Sequence, residues 1–152
     1  MRASLVAVLI VCLATDAVAA PRGCFTVPEH QAEQEIRHGI RLREGATECD
    51  AWVPGLTEVW RKIDQTNGNR FAAQTKLREA AFAREFESWS NTYRDVWDGR
   101  IVMYFRNYPV TDAHCRQLAK QLDEVLKKGY RAFKEQASLL RNEVRMDYRT
   151  CG

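Results

Sequence analysis

Few residues in this 152-residue chain have side chains that serve as nucleophiles, bases or metal ligands. They are five cysteines, three histidines and, beyond the first twenty positions, the serines Ser88, Ser90 and Ser138. A hydrolytic serine needs a strand-turn-helix elbow that lifts its Oγ clear of the backbone, and none of the three sits in one. The cysteines form no CxxC redox pair, no haem-attachment motif and no zinc spacing with histidine. His30 and His38 stand eight residues apart. On a helix that is about 12 Å, too far for both to hold one ion, and Gln34 between them is a poor third ligand. His114 stands alone. The string DQTNGN (residues 64–69) lacks the alternating acids of a calcium loop, and Thr75 occupies the place of the bidentate acid. No spacing singles out a carboxylate pair for glycoside chemistry. The expectation is therefore a protein without metal, cofactor or catalysis, one that binds rather than transforms.

The first cysteine, Cys12, belongs to a segment of its own. Arg2 precedes an apolar run over residues 5–14, and Ala17-Val18-Ala19 follows. That is the order of an export signal, with cleavage after Ala19. The run is shorter than the roughly 20 residues that span a bilayer. Bulky Val11 argues against acylation of Cys12. Residues 1–19 thus read as a signal peptide and residues 20–152 as a single helical domain, periplasmic or secreted. No second stretch is apolar enough to cross a membrane, and the formal charge of +3 survives loss of the leader, which carries Arg2 and Asp16.

Four cysteines remain in the exported chain: Cys24, Cys49, Cys115 and Cys151. An even number in an oxidising compartment reads as two disulfides. The elements that position them are helical. Residues 29–48 are rich in helix formers, with Ala32, Ile36 and Ile40 on one face. A short helix follows Pro54-Gly55, a turn is expected at DQTNGN, and a third helix spans residues 70–106, weakened at Gly99. Thr111 then caps a fourth helix running nearly to Arg149, with Gly129 its weak point. A helix holding Cys115 and Cys151 at opposite ends keeps them roughly 54 Å apart, whereas a disulfide needs Cα atoms within about 7 Å. Cys24 and Cys49 bracket the first helix and fail alike. An up-down arrangement then prefers Cys24–Cys151 and Cys49–Cys115. The predicted fold is an all-α, elongated up-down four-helix bundle with two disulfides.

Two stripes are candidates for function. On the fourth helix Arg116, Lys120, Lys127, Arg131, Lys134, Arg141, Arg145 and Arg149 fall within about 80° of arc. Asp123 is their main interruption, and Glu33, Glu35, Glu44 and Glu48 of the first helix are placed to neutralise the row in part. A positive ridge of this kind suits an acidic partner protein or an anionic envelope surface. Nucleic acid is disfavoured, because the net charge is modest and no aromatics interleave with the ridge. On the third helix Phe82, Phe86, Trp89 and Tyr93 line up as core or as an aromatic pocket. The run FESWSNTYRDVW (residues 86–97) is similar to the Trp…Tyr-Arg-Asp segment of small helical, disulfide-bonded periplasmic proteins of the lysozyme-inhibitor type. Trp89 and Tyr93 are four apart, and Val96-Trp97 stand where that pattern has a cysteine, so the chain is not assigned to that family. The functional expectation is an exported, non-enzymatic interaction protein acting through the basic ridge. The alternative is a small-molecule carrier or sensor with an aromatic-lined pocket between helices.

Overall fold

Thr26 opens the first helix in extended conformation, and its backbone N–H donates to Glu29 Oε2 at 2.8 Å. That closure, with Pro28 in the first turn, satisfies donors a helix start otherwise leaves orphaned. The structure, a computed structural model, describes residues 22–140 and 149–151; the leader at 1–19 lies outside them. The helices are α1 (Val27–Cys49), α2 (Leu56–Phe86), α3 (Ser90–Arg106), α4 (Asp112–Lys128) and α5 (Tyr130–Ser138), with a 3-10 turn at Glu87–Trp89. Among the described residues there is no strand, only an isolated parallel bridge between Phe25 and Thr150.

The all-α up-down bundle stands as expected, and so do both disulfides. Cys24–Cys151 and Cys49–Cys115 join Cα atoms 5.1 and 5.3 Å apart. They close loops of 127 and 66 residues, and on the chain-entropy model each contributes up to about 4–5 kcal/mol. Cross-helix contacts fix the directions. Asp50 Oδ1 accepts from the Thr57 N–H where α1 hands over to α2, and Arg84 meets Glu29 at the other end. On α3, Asp98 pairs with Arg78 of α2, and Arg106 reaches Glu44 of α1. The fourth element is divided. Gly129 has φ +73°, a left-handed conformation that glycine adopts without the Cβ penalty, so α4 stops and α5 folds back against it. The Gln136 amide then donates to the Gln121 carbonyl of α4 at 3.1 Å.

Helix boundaries differ from expectation at two further places. DQTNGN is not a turn but the middle of α2. Its turn formers are used inside the helix: Asn67 is buried and donates to the Ile63 carbonyl, and Thr66 bonds back to Lys62. Ile63 and Phe71 anchor the flanks in the core, which outweighs the roughly 1 kcal/mol penalty of one helical glycine. The actual break comes at Glu87, the one non-glycine residue with positive φ (+48°) among those described. No Gly or Pro marks it. Gly99, the expected weak point, lies inside an unbroken α3.

Two clusters make the core. The larger joins Leu42, Ala46 and Cys49 of α1 to Leu56 and Ile63 of α2, Leu118, Leu122 and Val125 of α4 and Phe133 of α5. Gly45 permits that approach, since a Cβ there would lie 2.9 Å from Leu118 Cδ2. The smaller holds Phe25, Ala81, Phe82 and Trp97 at the Cys24–Cys151 end, with Phe86 against it.

Candidate ligand cleft

Between the two clusters α1 and α2 leave a cleft of about 220 Å³. Its α1 wall is Glu35, Ile36, Gly39, Ile40 and Arg43, positions that recur at helical spacing on one side. Its α2 wall is Trp60, Asp64, Phe71, Gln74 and Thr75. Trp60 and Phe71 are eleven residues apart, close to three full turns, so their rings share a face and stack at 6.1 Å with 18° between planes. Gly39 supplies no side chain; a Cβ there would touch Trp60 Cη2 at 3.7 Å. The opening therefore exists because one wall has a glycine where the other has an indole.

The polar rim is specific. Glu35 is buried and accepts a hydrogen bond from the Tyr130 hydroxyl of α5. Burial pushes the Glu35 carboxyl above the usual range, opposed by that bond and by the Lys134 charge. Burial and the neighbouring Glu35 likewise raise Tyr130. Arg70 lies over the Tyr130 ring, 5.0 Å from its centre. Asp64 sits at the exposed mouth and forms no ion pair among the described residues. Arg43 turns out of the cleft to Glu44 at 2.7 Å, a carboxylate it shares with Arg106.

A second, larger cleft of about 360 Å³ lies across α1, lined by Arg41, Phe105, Tyr108, His114, Leu118, Gln121, Gln136 and Leu139 among others. Its polar groups bond to one another. Gln136 spends its NH₂ on Gln121 and Glu124, so its Oε1 accepts from His38 Nε2 at 3.0 Å. His38 is then the Nε2–H tautomer with Nδ1 toward the Arg41 guanidinium at 3.4 Å. Burial and that guanidinium hold His38 neutral, depressing its pKa to about 3. Arg41 also donates to Gln121 at 2.8 Å. These mutual bonds occupy the polar groups of the larger cleft.

The expected site residues are scattered. Break and fold-back at Gly129 end the straight ridge. Arg116, Lys120 and Lys127 stay on α4, while Arg131 and Lys134 belong to α5. All five are exposed, but Arg116 pairs with Asp112, Lys127 with Asp123 at 2.7 Å and Arg131 with Glu135 at 3.9 Å, each one helical turn away. Arg149 is exposed beside the Cys24–Cys151 bridge; Arg141 and Arg145 lie outside the described residues. The glutamates expected to neutralise the ridge turn inward instead: Glu33, Glu35 and Glu44 are buried, and only Glu48 is exposed. Nor do the four aromatics of the expected pocket line one cavity. Phe82 is core, Phe86 is half-buried against it, and Tyr93 stacks on Phe86 at 4.6 Å from the exposed side. Trp89, on the turn that breaks the helix, is 64 % exposed. The aromatic pair of the cleft, Trp60 and Phe71, was hidden in sequence because an apparent turn separated them. Among the described residues no three His, Cys, Asp or Glu side chains cluster as a metal site, and no helix is long and apolar enough to cross a membrane.

Compared with known protein families, with curated proteins and with solved structures, the chain matches none.

Proposed function

We propose that the protein is an exported, non-enzymatic binding protein that takes a small, mainly apolar ligand into the cleft between α1 and α2. The observation that carries this reading is the stacked Trp60–Phe71 wall facing Gly39, with Ile36 and Ile40 completing an apolar lining around a few polar groups. Two disulfides accord with an oxidising compartment. The reading keeps the carrier alternative drawn from the sequence and moves its pocket from Phe82, Phe86, Trp89 and Tyr93 to Trp60 and Phe71. The basic residues are a weaker basis for function, because three of them are matched by acids on their own helices and exposed pairs contribute little.

Tryptophan fluorescence tests it. A small aromatic ligand such as tert-butylbenzene is expected to quench or shift the emission of the oxidised protein and to lose that effect in Trp60→Phe. Calorimetry on Gly39→Leu, which fills the cleft, is expected to show no binding while helicity is retained. Unchanged binding in Gly39→Leu sinks the proposal.

A further inference from the structure

We infer that the ligand of the α1–α2 cleft carries an organic ammonium group, held against the Trp60 and Phe71 rings and facing the carboxylates of Asp64 and Glu35. The inference rests on the reading of the cleft as a ligand site and adds the chemical class. Aromatic faces carry negative quadrupole potential, and a cation over them is attracted in proportion to its desolvation. Here the two rings stack within one apolar lining, so a cation placed against them loses water on several sides.

Charge around the cleft points the same way. Of its ten lining residues, three are formally charged: Glu35, Asp64 and Arg43. Arg43 is engaged by Glu44, which also takes Arg106 at 2.6 Å. Glu35 is hydrogen-bonded by the neutral Tyr130 hydroxyl, with the Lys134 charge acting on it from α5 but not bonded to it. Asp64 meets no cation within ion-pair distance among the described residues. Burial beside an apolar wall makes the Glu35 carboxylate unfavourable without a counter-charge. An ammonium in the cleft supplies one, and solvated Asp64 at the mouth adds attraction on its way in. A hydrated metal ion fits less well. Calcium and magnesium take six or more oxygen ligands, and aromatic rings offer none. A weakly hydrated alkylammonium matches both the rings and the two acids.

Two isosteric probes separate the inference from the reading it rests on: phenyltrimethylammonium and its neutral counterpart tert-butylbenzene, titrated against the full oxidised chain by calorimetry and Trp60 fluorescence. Tighter binding of the cation, by about tenfold or more, is expected. In Asp64→Asn and Glu35→Gln the ratio of the two affinities is expected to fall toward one. Asp123→Asn, on α4 away from the cleft, controls for net charge and should keep the wild-type ratio. Equal affinities for both probes in the wild type overturn the ammonium assignment and leave the cleft as a receptor for neutral ligands. Binding of neither probe overturns the cleft reading and the assignment with it. A cation preference undiminished in both acid variants takes the carboxylates out of the site and overturns the assignment as stated.

Discussion

Over residues 42–49, α1 buries Leu42, Ala46 and Cys49 among the aliphatic side chains of α2 and α4, with Glu44 the single buried charge; over residues 29–37 it buries Glu29, Glu33, Glu35 and Arg37. The first half draws stability from apolar area, at about 25 cal/mol per Å². In the second half every charge has to find its partner. Arg84 of α2 donates to Glu29 at 2.9 Å and to Glu85, and Glu85 accepts from the Gly23 N–H at 2.8 Å. One level along, Glu33 holds Arg37 at 2.8 Å and Arg78, and Arg78 reaches Asp98 of α3 at 2.6 Å. The contrast teaches that burial by itself does not say how a helix is held. Apolar burial degrades gradually when an atom is removed. An ion ladder fails at once, because the survivor is left charged in a poor solvent.

The largest expected effect comes from breaking the ladder. Arg78→Met leaves buried Glu33 with Arg37 in place of two guanidinium partners and takes the partner from Asp98. It is expected to cost about 3–5 kcal/mol in urea unfolding, part of which Glu33→Gln should restore. Leu118→Ala, in the apolar half, is expected to cost about 2–4 kcal/mol with no comparable rescue by a neighbouring change. If Arg78→Met cost less than a surface substitution, the ladder would not be holding α1 to α2.

Acid should separate the halves next. His38, at their junction, is folded with a pKa of about 3 against 6.5 unfolded. In that window the unfolded chain binds the extra proton, so stability is complete above pH 6.5 and falls as pH drops, by about 1.4 kcal/mol per pH unit. His30 and His114, also depressed by burial, act in the same direction. Glu29, lowered to about 2 chiefly by Arg84, adds a loss of the same sign below pH 4.5. Glu35, raised by burial, has the opposite sign, giving stability back as pH falls through its folded pKa. Unfolding midpoints at pH 7, 5 and 4 should fall steadily, with a shallower slope in His38→Gln. An equal slope in that variant would rule out a neutral buried imidazole.

The smallest effect checks the segment of α2 that joins the two halves. Gly68 is exposed within the helix, and nothing lies within 4 Å of an added Cβ. Gly68→Ala is therefore expected to stabilise by about 0.5–1 kcal/mol. Were DQTNGN a turn with positive φ at the glycine, the same substitution would destabilise, so the sign alone decides.

Much of the fold was legible without coordinates. Helix-forming composition gave α1, Thr111 gave the start of α4, and the left-handed preference of glycine gave the weak point at Gly129. The length of α1 separates Cys24 from Cys49. These are local or geometric constraints, and sequence carries them directly. The break at Gly129, however, removes the straight helix that was to separate Cys115 from Cys151, so the observed pairing follows from how the bundle folds and not from helix length alone. What sequence did not carry was which helix faces meet. Asn67-Gly68 has the composition of a turn, yet burial of Ile63 and Phe71 on either side keeps it helical; Glu87 has the composition of a helix and breaks one. The glutamates of α1 read as a solvated row because charge usually faces water. They turned inward because partners on other helices arrive opposite them: Arg78 of α2 at Glu33, Tyr130 of α5 at Glu35 and Arg106 of α3 at Glu44. The cleft has the same origin. Trp60, Phe71 and Gly39 are unremarkable in sequence and come to line one cleft when α2 runs unbroken past α1. Local preferences are worth about a kilocalorie per residue, and packing of whole faces is worth several, so tertiary structure decides wherever the two disagree.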